Sequence, residues 1–300
     1  MAGSLNGRSG GKGGGDERIR MTTNATERVK EEWDSQAASW FQQRESMFAA
    51  SRPIHEWMVD HLEPRPGMRV LEIAAGPGDT GFLAAKRIGG GRLLSTDLSP
   101  SMVESARKRG EELGVTNADY RVLDAQAMDL PDASFEGVLC RWGLMLMPDP
   151  LASLRECRRV LVEGGGGRLV FAVFTGPEEN PFASLPAGIL VEWGLLPKPT
   201  SAWQPGILAL GDRTRLLTLI DRADFASAHI ESVDMTWSFA DADDYWAFLV
   251  DLTALGPLVR SLPEETRQNF RAAIDERVAR FTSGGRVELP SRCWCVAAIR

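Results

Sequence analysis

A chain of 300 residues with 43% hydrophobic and 25% charged content carries enough apolar surface for a sizeable core in one or two domains. Its net charge of −7 and its scattered basic residues lack the electrostatic footprint of a nucleic-acid binder, so a small-molecule substrate is expected. Four cysteines are too few for a disulfide framework, Cys293 and Cys295 are badly spaced to pair with each other, and no apolar run suggests a signal peptide or a membrane span; a cytoplasmic protein with reduced thiols is expected.

Residues 1–20 contain seven glycines and almost no large apolar side chain, and are expected to be a disordered leader. Residues 21–66 read as an N-terminal helical cap. Val29, Trp33, Ala37, Trp40 and Phe41 recur at helical spacing between Asn24 and Met47, and a second short helix runs from Ser51 to about Leu62.

Residues 67–175 alternate between strand and helix. Strands are predicted at Arg69–Ile73, Arg92–Thr96, Tyr120–Leu123, Phe135–Cys140 and Arg168–Phe174, with helices from Asp79, from Ser99 and over Pro148–Leu161. Ser99-Pro100 marks a helix start, because serine caps free amides and proline suits the first helical position.

Residues 176–300 begin with a Pro- and Trp-containing insertion, followed by a helix near Arg213–Ala223 and a strand near His229–Trp237. Two further helical stretches then lead to a last strand, Cys293–Ile299, which would complete the sheet and a substrate cavity. The whole reads as α/β: a doubly wound, mostly parallel, Rossmann-like sheet of seven strands with N-terminal helices and a helical insertion.

The segment Val70 to Gly81 runs from an apolar strand through a glycine turn into a helix, where ligands of open α/β sheets bind. Gly76 to Gly81 satisfies the literal G-x-G-x-x-G dinucleotide fingerprint. Two carboxylates argue for a different ligand. Asp79 occupies the helix end where a pyrophosphate would need bare amides, and Glu72 ends a strand of buried aliphatic residues, a poor place for an acid without a cationic ligand. An adenosyl sulfonium supplies that cation. Asp97, at the next strand end, can accept from ribose hydroxyls under either nucleotide reading. Asp124-Ala125-Gln126 follows the third strand, where an aspartate and nearby amides can meet an adenine edge. Each has a plainer reading: Glu72 caps a buried amide, Asp79 and Asp97 cap helices, and Asp124 is a turn residue.

These motifs resemble the class I S-adenosylmethionine-dependent methyltransferases, particularly those similar to the ubiquinone and menaquinone biosynthesis group. The carriers are Val70 to Gly78, Thr96-Asp97-Leu98-Ser99-Pro100, Asp124-Ala125 with Leu130-Pro131, and Phe135 to Trp142. The resemblance implies that Glu72, Ala74, Gly76, Pro77 and Gly78 hold the methionine part of the cofactor and Asp97 its ribose. Leu98 and Met102 would flank adenine, and Asp124, Ala125 and Gln126 would meet its edge. Arg141 and Trp142 would face the methyl group and line the substrate cavity. Ala74 stands where the family usually has its first glycine, and Glu163 where a proline is frequent before the glycines preceding the fifth strand.

No residue is assigned as catalytic, since methyl transfer from a sulfonium chiefly needs alignment and desolvation. His55 is the best-placed base among three histidines, against the plainer reading of an ordinary helix histidine, and no Cys or His cluster has zinc spacing, so no metal is expected. Nine tryptophans, most of them outside the cofactor half, suggest apolar walls for an apolar or aromatic metabolite methylated on O or C, with packing as the plainer reading of each. The alternatives are an NAD(P)-dependent oxidoreductase and a catalytically silent adenosyl-binding domain.

Overall fold

In the computed structural model the structure describes residues 13–198, 200 and 203–300. Two helices, α1 (Gly13–Gln42) and α2 (Arg44–Leu62), precede β1 (Arg69–Glu72), α3 (Asp79–Arg87), β2 (Arg92–Asp97), α4 (Pro100–Glu112) and β3 (Ala118–Val122). The second half of the sheet follows as β4 (Gly137–Arg141), α5 (Pro150–Val160), β5 (Arg168–Phe174) and α6 (Pro181–Glu192). The chain ends with α7 (Arg213–Arg222), β6 (Ser227–Phe239), α8 (Ala242–Leu252), α9 (Gly256–Ser261), α10 (Glu264–Val278), β7 (Thr282–Ser283) and β8 (Arg286–Ile299).

The sheet order is β3-β2-β1-β4-β5-β8-β6, parallel from β3 through β5, with β8 inserted antiparallel between β5 and β6. Val70, Leu71, Val138, Leu139, Val170 and Phe171 in its centre are wholly buried, as strands covered by helices on both faces require. From β1 the chain winds outward to β2 and β3, then returns to β4 on the other side of β1. The switch point therefore lies between β1 and β4.

Four expectations change. Of the leader, residues 1–12 lie outside the described residues, while α1 already begins at Gly13 rather than near Asn24; Glu17, Arg18 and Arg20 are good helix formers that the glycine content obscured. The sheet has eight strands rather than seven, because β7 forms a two-residue hairpin arm onto β8 through Gly284 and Gly285, both at positive φ. Three helices, not two, separate β6 from β7. Finally β8 starts at Arg286, well before Cys293, despite Pro290. Past Cys293, which pairs with Phe174 at the end of β5, that arm of β8 faces β6 alone at Pro290, so a residue without an N–H is tolerated there.

Asn180 fastens the segment after β5 to this long strand. Its amide nitrogen donates to Thr175 Oγ1 (3.0 Å) and to the carbonyls of Gly176 and Arg292, while its oxygen accepts from Ser291 Oγ (2.6 Å) and Arg292 N (3.2 Å). The side chain is wholly buried. Asn180→Ala should therefore leave several buried groups without partners and lower the unfolding free energy by about 2–4 kcal/mol in urea titrations, with secondary structure retained at pH 7.

Candidate functional site

The carboxyl ends of β1, β2 and β4 bring Glu72, Asp97 and Arg141 to one edge of the sheet, with Asp124 two residues past β3. Between β1 and α3 the chain makes a tight loop in which Ala74 (φ 48°), Gly76 (φ 54°) and Gly78 (φ 86°) all adopt left-handed backbone. At Gly76 the space a Cβ would occupy is open, the cradle expected where backbone meets a ligand. Ala74 keeps its Cβ because the residue facing it is Gly143, whose own Cβ would lie 2.5 Å from it. The substituted first glycine of the motif is thus accommodated across the site.

Glu72 is 2% exposed, and its Oε1 accepts the Gly81 amide at 2.8 Å while Oε2 accepts from Ser95 Oγ at 3.3 Å. A Cβ at position 81 would sit 2.3 Å from Oε2, so the third glycine of the fingerprint permits this contact. The plainer reading of Glu72, an amide cap, is part of its role. Burial pushes its carboxyl up to about 8, against the pull of the Gly81 amide and the Arg141 charge. Asp79 begins α3, buried, with Arg109 Nε 3.2 Å from its Oδ1; burial raises its carboxyl, opposed by Arg141 and Arg109. Arg109 in turn reaches Glu45 of α2 (2.7 Å).

Asp97 Oδ2 accepts the Gly76 amide (2.9 Å) and Oδ1 that of Ser99 (3.0 Å), which leaves a further lone pair on each oxygen for a diol. Burial raises this carboxyl too, opposed by the Ser99 and Gly76 amides. The expected Ser99 cap is present: its Oγ accepts from Met102 N (3.0 Å). That hydroxyl also donates to Asp34 of α1, whose Oδ1 accepts from Ser101 N as well. Leu98 is half-buried and Met102 buried. Asp124 Oδ1 turns back onto Gln126 N (2.8 Å), and the Gln126 side chain bonds Thr26 of α1 and the Asp149 amide, so Gln126 is committed to holding α1 and α5. Ala125 is buried next to them.

Arg141 ends β4 with its guanidinium 4.2 Å from the centre of the Trp142 ring. Its Nε and Nη1 are buried without a hydrogen-bond partner among the described residues. Trp142 (φ 60°) stacks on Phe174 at 4.6 Å and lies 5.9 Å from Trp237, and its indole donates to Cys293 Sγ. Trp237 Nε1 is a third buried donor lacking a partner. Phe182 and Phe248 extend the aromatic block.

His55 is wholly buried on α2. Ser51 Oγ donates to the Met47 carbonyl, so it must accept from His55 Nε2–H (3.0 Å); Nδ1 is then bare and accepts from Thr80 Oγ1 (2.9 Å). Both ring nitrogens are engaged, and burial followed by the Arg141 charge holds the ring neutral, well below the usual histidine range. It braces α2 against α3 and has no free nitrogen to take a proton.

A family model described as a methyltransferase domain matches residues 70–165. The chain is 32% identical over 159 residues to aklanonic acid methyltransferase from Streptomyces sp., covering 52% of this chain and 71% of that protein. It is 38% identical over 109 residues to a ubiquinone/menaquinone biosynthesis C-methyltransferase from Ruegeria sp., covering 36% of this chain and 44% of the relative, less than half its length. The chain belongs to the class I S-adenosylmethionine-dependent methyltransferases. Its fold matches that of the YcgJ protein of Bacillus (TM-score 0.57, 19% identity, covering 82% of this chain and 97% of that one). The [4+2]-cyclase SpnF matches with TM-score 0.53 at 16% identity, covering 91% and 96%; at such identities the likeness concerns the fold.

Membership in this methyltransferase family sets aside the dinucleotide reading of the glycine loop and makes S-adenosylmethionine the cofactor. The residues fit it, with an open cradle at Gly76, free acceptors on Asp97 and desolvated acids suited to a cation. The contacts that sequence reasoning missed, Asp34, Thr26 and Arg109, come from helices distant in sequence and had no local signal. A cavity of about 300 Å³ opens beyond β5 between Pro177, Pro181, Leu185 and Phe281, and none of the residues above lines it. All four cysteines are free and buried, and no helix among the described residues is long and apolar enough to cross a membrane. Although linear spacing shows no metal motif, the fold gathers His61, His229 and Glu231 away from this site.

Because His55 titrates well below 6.5 when folded, it is neutral in both states above that pH and contributes no pH dependence there. Below about pH 6.5 the unfolded chain takes up a proton that the folded one refuses, so stability falls as pH drops. In urea unfolding between pH 7.5 and 5.5, roughly, the parent should lose stability relative to His55→Gln, by up to about 1.4 kcal/mol per pH unit. Parallel curves for the two proteins would show that the ring is not held neutral.

Proposed function

We propose that the chain methylates oxygen or carbon of a small, apolar or aromatic metabolite that presents an anionic oxygen to Arg141. The observation that carries this reading is the set of buried, unpartnered N–H donors flanking the Trp142 ring: Arg141 Nε and Nη1, and Trp237 Nε1. Such donors each cost about 1–3 kcal/mol when left unmatched, which an oxygen-bearing ligand would relieve. Trp142, Phe174, Phe182 and Trp237 offer apolar surface for the rest of the acceptor. The names of the relatives, an acid methyltransferase and a quinone biosynthesis enzyme, accord with an acceptor of this kind.

On this reading Glu72 and the 74–78 loop hold the methionine part, Asp97 the ribose, Leu98 and Met102 the adenine faces, and Asp124 with Ala125 its edge. S-adenosylmethionine, when bound, supplies a methyl group activated by its positively charged sulfur. The chain's task is then to orient the acceptor and exclude water, for which alignment is worth up to about 7–11 kcal/mol in favourable cases. With both nitrogens of His55 engaged, Arg141 would favour an acceptor that arrives already ionised, a carboxylate, phenolate or enolate.

Asp97→Asn keeps the shape but removes the charge from the proposed ribose acceptor, and should weaken S-adenosylmethionine binding about 10- to 100-fold by calorimetry. Arg141→Met separates the two partners open to the guanidinium. If it meets the acceptor, cofactor affinity stays within about threefold of the parent while kcat/KM over a panel of aromatic carboxylates, phenols and quinones falls about 10- to 100-fold. A loss of that size in cofactor affinity instead would assign Arg141 to the cofactor's own carboxylate and overturn the acceptor role.

A further inference from the structure

The last turn of α2 and the start of the edge strand β6 carry a group of side chains with no part in the site above. His61 lies on α2; His229 and Glu231, two residues apart, share one face of β6 by the strand's period of two. One ligand atom from each of the three lies within 4.8 Å of the others, and His229 Nε2 is 3.6 Å from Glu231 Oε2. Four-coordinate zinc with bonds of about 2.0–2.2 Å has ligand atoms about 3.4 Å apart, so one edge of the polyhedron is almost formed. His229 and Glu231 are exposed, and small rotations of their side chains would close the rest.

Two orienting contacts distinguish this group from an accidental surface cluster. His61 Nδ1 lies 2.9 Å from the Trp57 carbonyl, which can only accept, so Nδ1 carries the proton and Nε2 is the bare nitrogen. The Trp57 indole, stacked on the His61 ring at 3.7 Å, donates to Glu231 Oε2 at 2.9 Å and steers the carboxylate. A ligating histidine that donates its other nitrogen to a carbonyl, and a ligating carboxylate that is itself hydrogen-bonded, are the outer contacts seen around bound metals. The His61 and His229 rings are parallel within 3°, with centroids 5.6 Å apart. The Arg168 guanidinium is occupied by the His61 carbonyl and Glu63.

We infer that His61, His229 and Glu231 form a surface site for a divalent borderline metal ion, zinc being the best match to two imidazoles and one carboxylate, with water completing the shell. An ion there would join α2 to β6. Because α2 also carries His55 and Ser51, it would stiffen the helix that braces the cofactor loop.

The test uses the full chain without a polyhistidine tag. Titration of the protein with zinc chloride by calorimetry should show one ion per chain, and cobalt(II) should develop the visible absorption of a four- or five-coordinate nitrogen and oxygen site. His229→Ala and His61→Ala should each weaken zinc binding at least tenfold, and Glu231→Gln should weaken it to a smaller extent. Zinc should raise Tm by a few degrees in the parent and in neither histidine variant. His229→Ala, at an exposed position, guards against misfolding of the His61 variant, and circular dichroism checks both. Absence of zinc uptake by the parent at about 100 μM, or uptake unchanged in His229→Ala, would overturn the assignment.

Discussion

A carboxylate buried at the end of the first strand and an amide one turn into the next helix hold the cofactor end of this sheet together. The Glu72 to Gly81 hydrogen bond, 2.8 Å long, sets how closely α3 approaches β1, and it exists because position 81 has no Cβ to strike the carboxylate. That approach fixes the course of the loop between them, and with it the open space at Gly76 and the amide that Gly76 gives to Asp97. Two strand ends and one helix start are thereby locked by two acceptor–amide contacts. The same loop that satisfies its own backbone presents the remaining acceptor capacity outward.

The electrostatics of that arrangement favour a cation more subtly than acid at a helix start suggests. Asp79 is opposed by Arg109, so it is a weaker barrier to a phosphate than its sequence position implies. Desolvation of the acids favours a cation more strongly. Burial raises Glu72, Asp79 and Asp97 alike; Arg141 opposes the rise at Glu72, Arg141 and Arg109 oppose it at Asp79, and backbone amides alone oppose it at Asp97. Glu72 is pushed up to about 8. A positively charged ligand beside Glu72, as proposed above, would favour its ionised form and offset part of that desolvation.

Much of this was legible along the chain, because it is local. Strand, glycine turn and helix lie within twelve residues, the Ser99-Pro100 start identifies the end of β2, and Asp97 ends a strand that carries the aliphatic pair Leu93-Leu94. What escaped was set by distant partners. Arg109 reads as one more charge on an exposed helix until the fold turns it towards Asp79 and Glu45, and Asp34 is an isolated acid in α1 until Ser99 and Ser101 arrive. Pro290 hid half of β8, since only the arrangement of neighbours shows that this arm pairs with β6 and has no β5 partner on its other side. His55 looked like an ordinary helix histidine or a base; the direction of a serine hydroxyl's single proton makes it a brace.

The N-terminal helices follow from the same logic of distant contacts. α1 bonds the loops after β2 and β3 through Asp34 to Ser99 and Thr26 to Gln126, and α2 bonds the start of α3 through His55 to Thr80. Only Gln43 separates the two helices, so a displacement of one is transmitted to the other. Glu45, in the first turn of α2, adds an ion pair to Arg109, which itself holds Asp79. A segment that precedes the sheet in sequence is therefore coupled to both ends of the proposed cofactor site. Changes in its helical faces should alter affinity for the whole cofactor rather than for one of its parts, because no half of the groove is braced independently of the other.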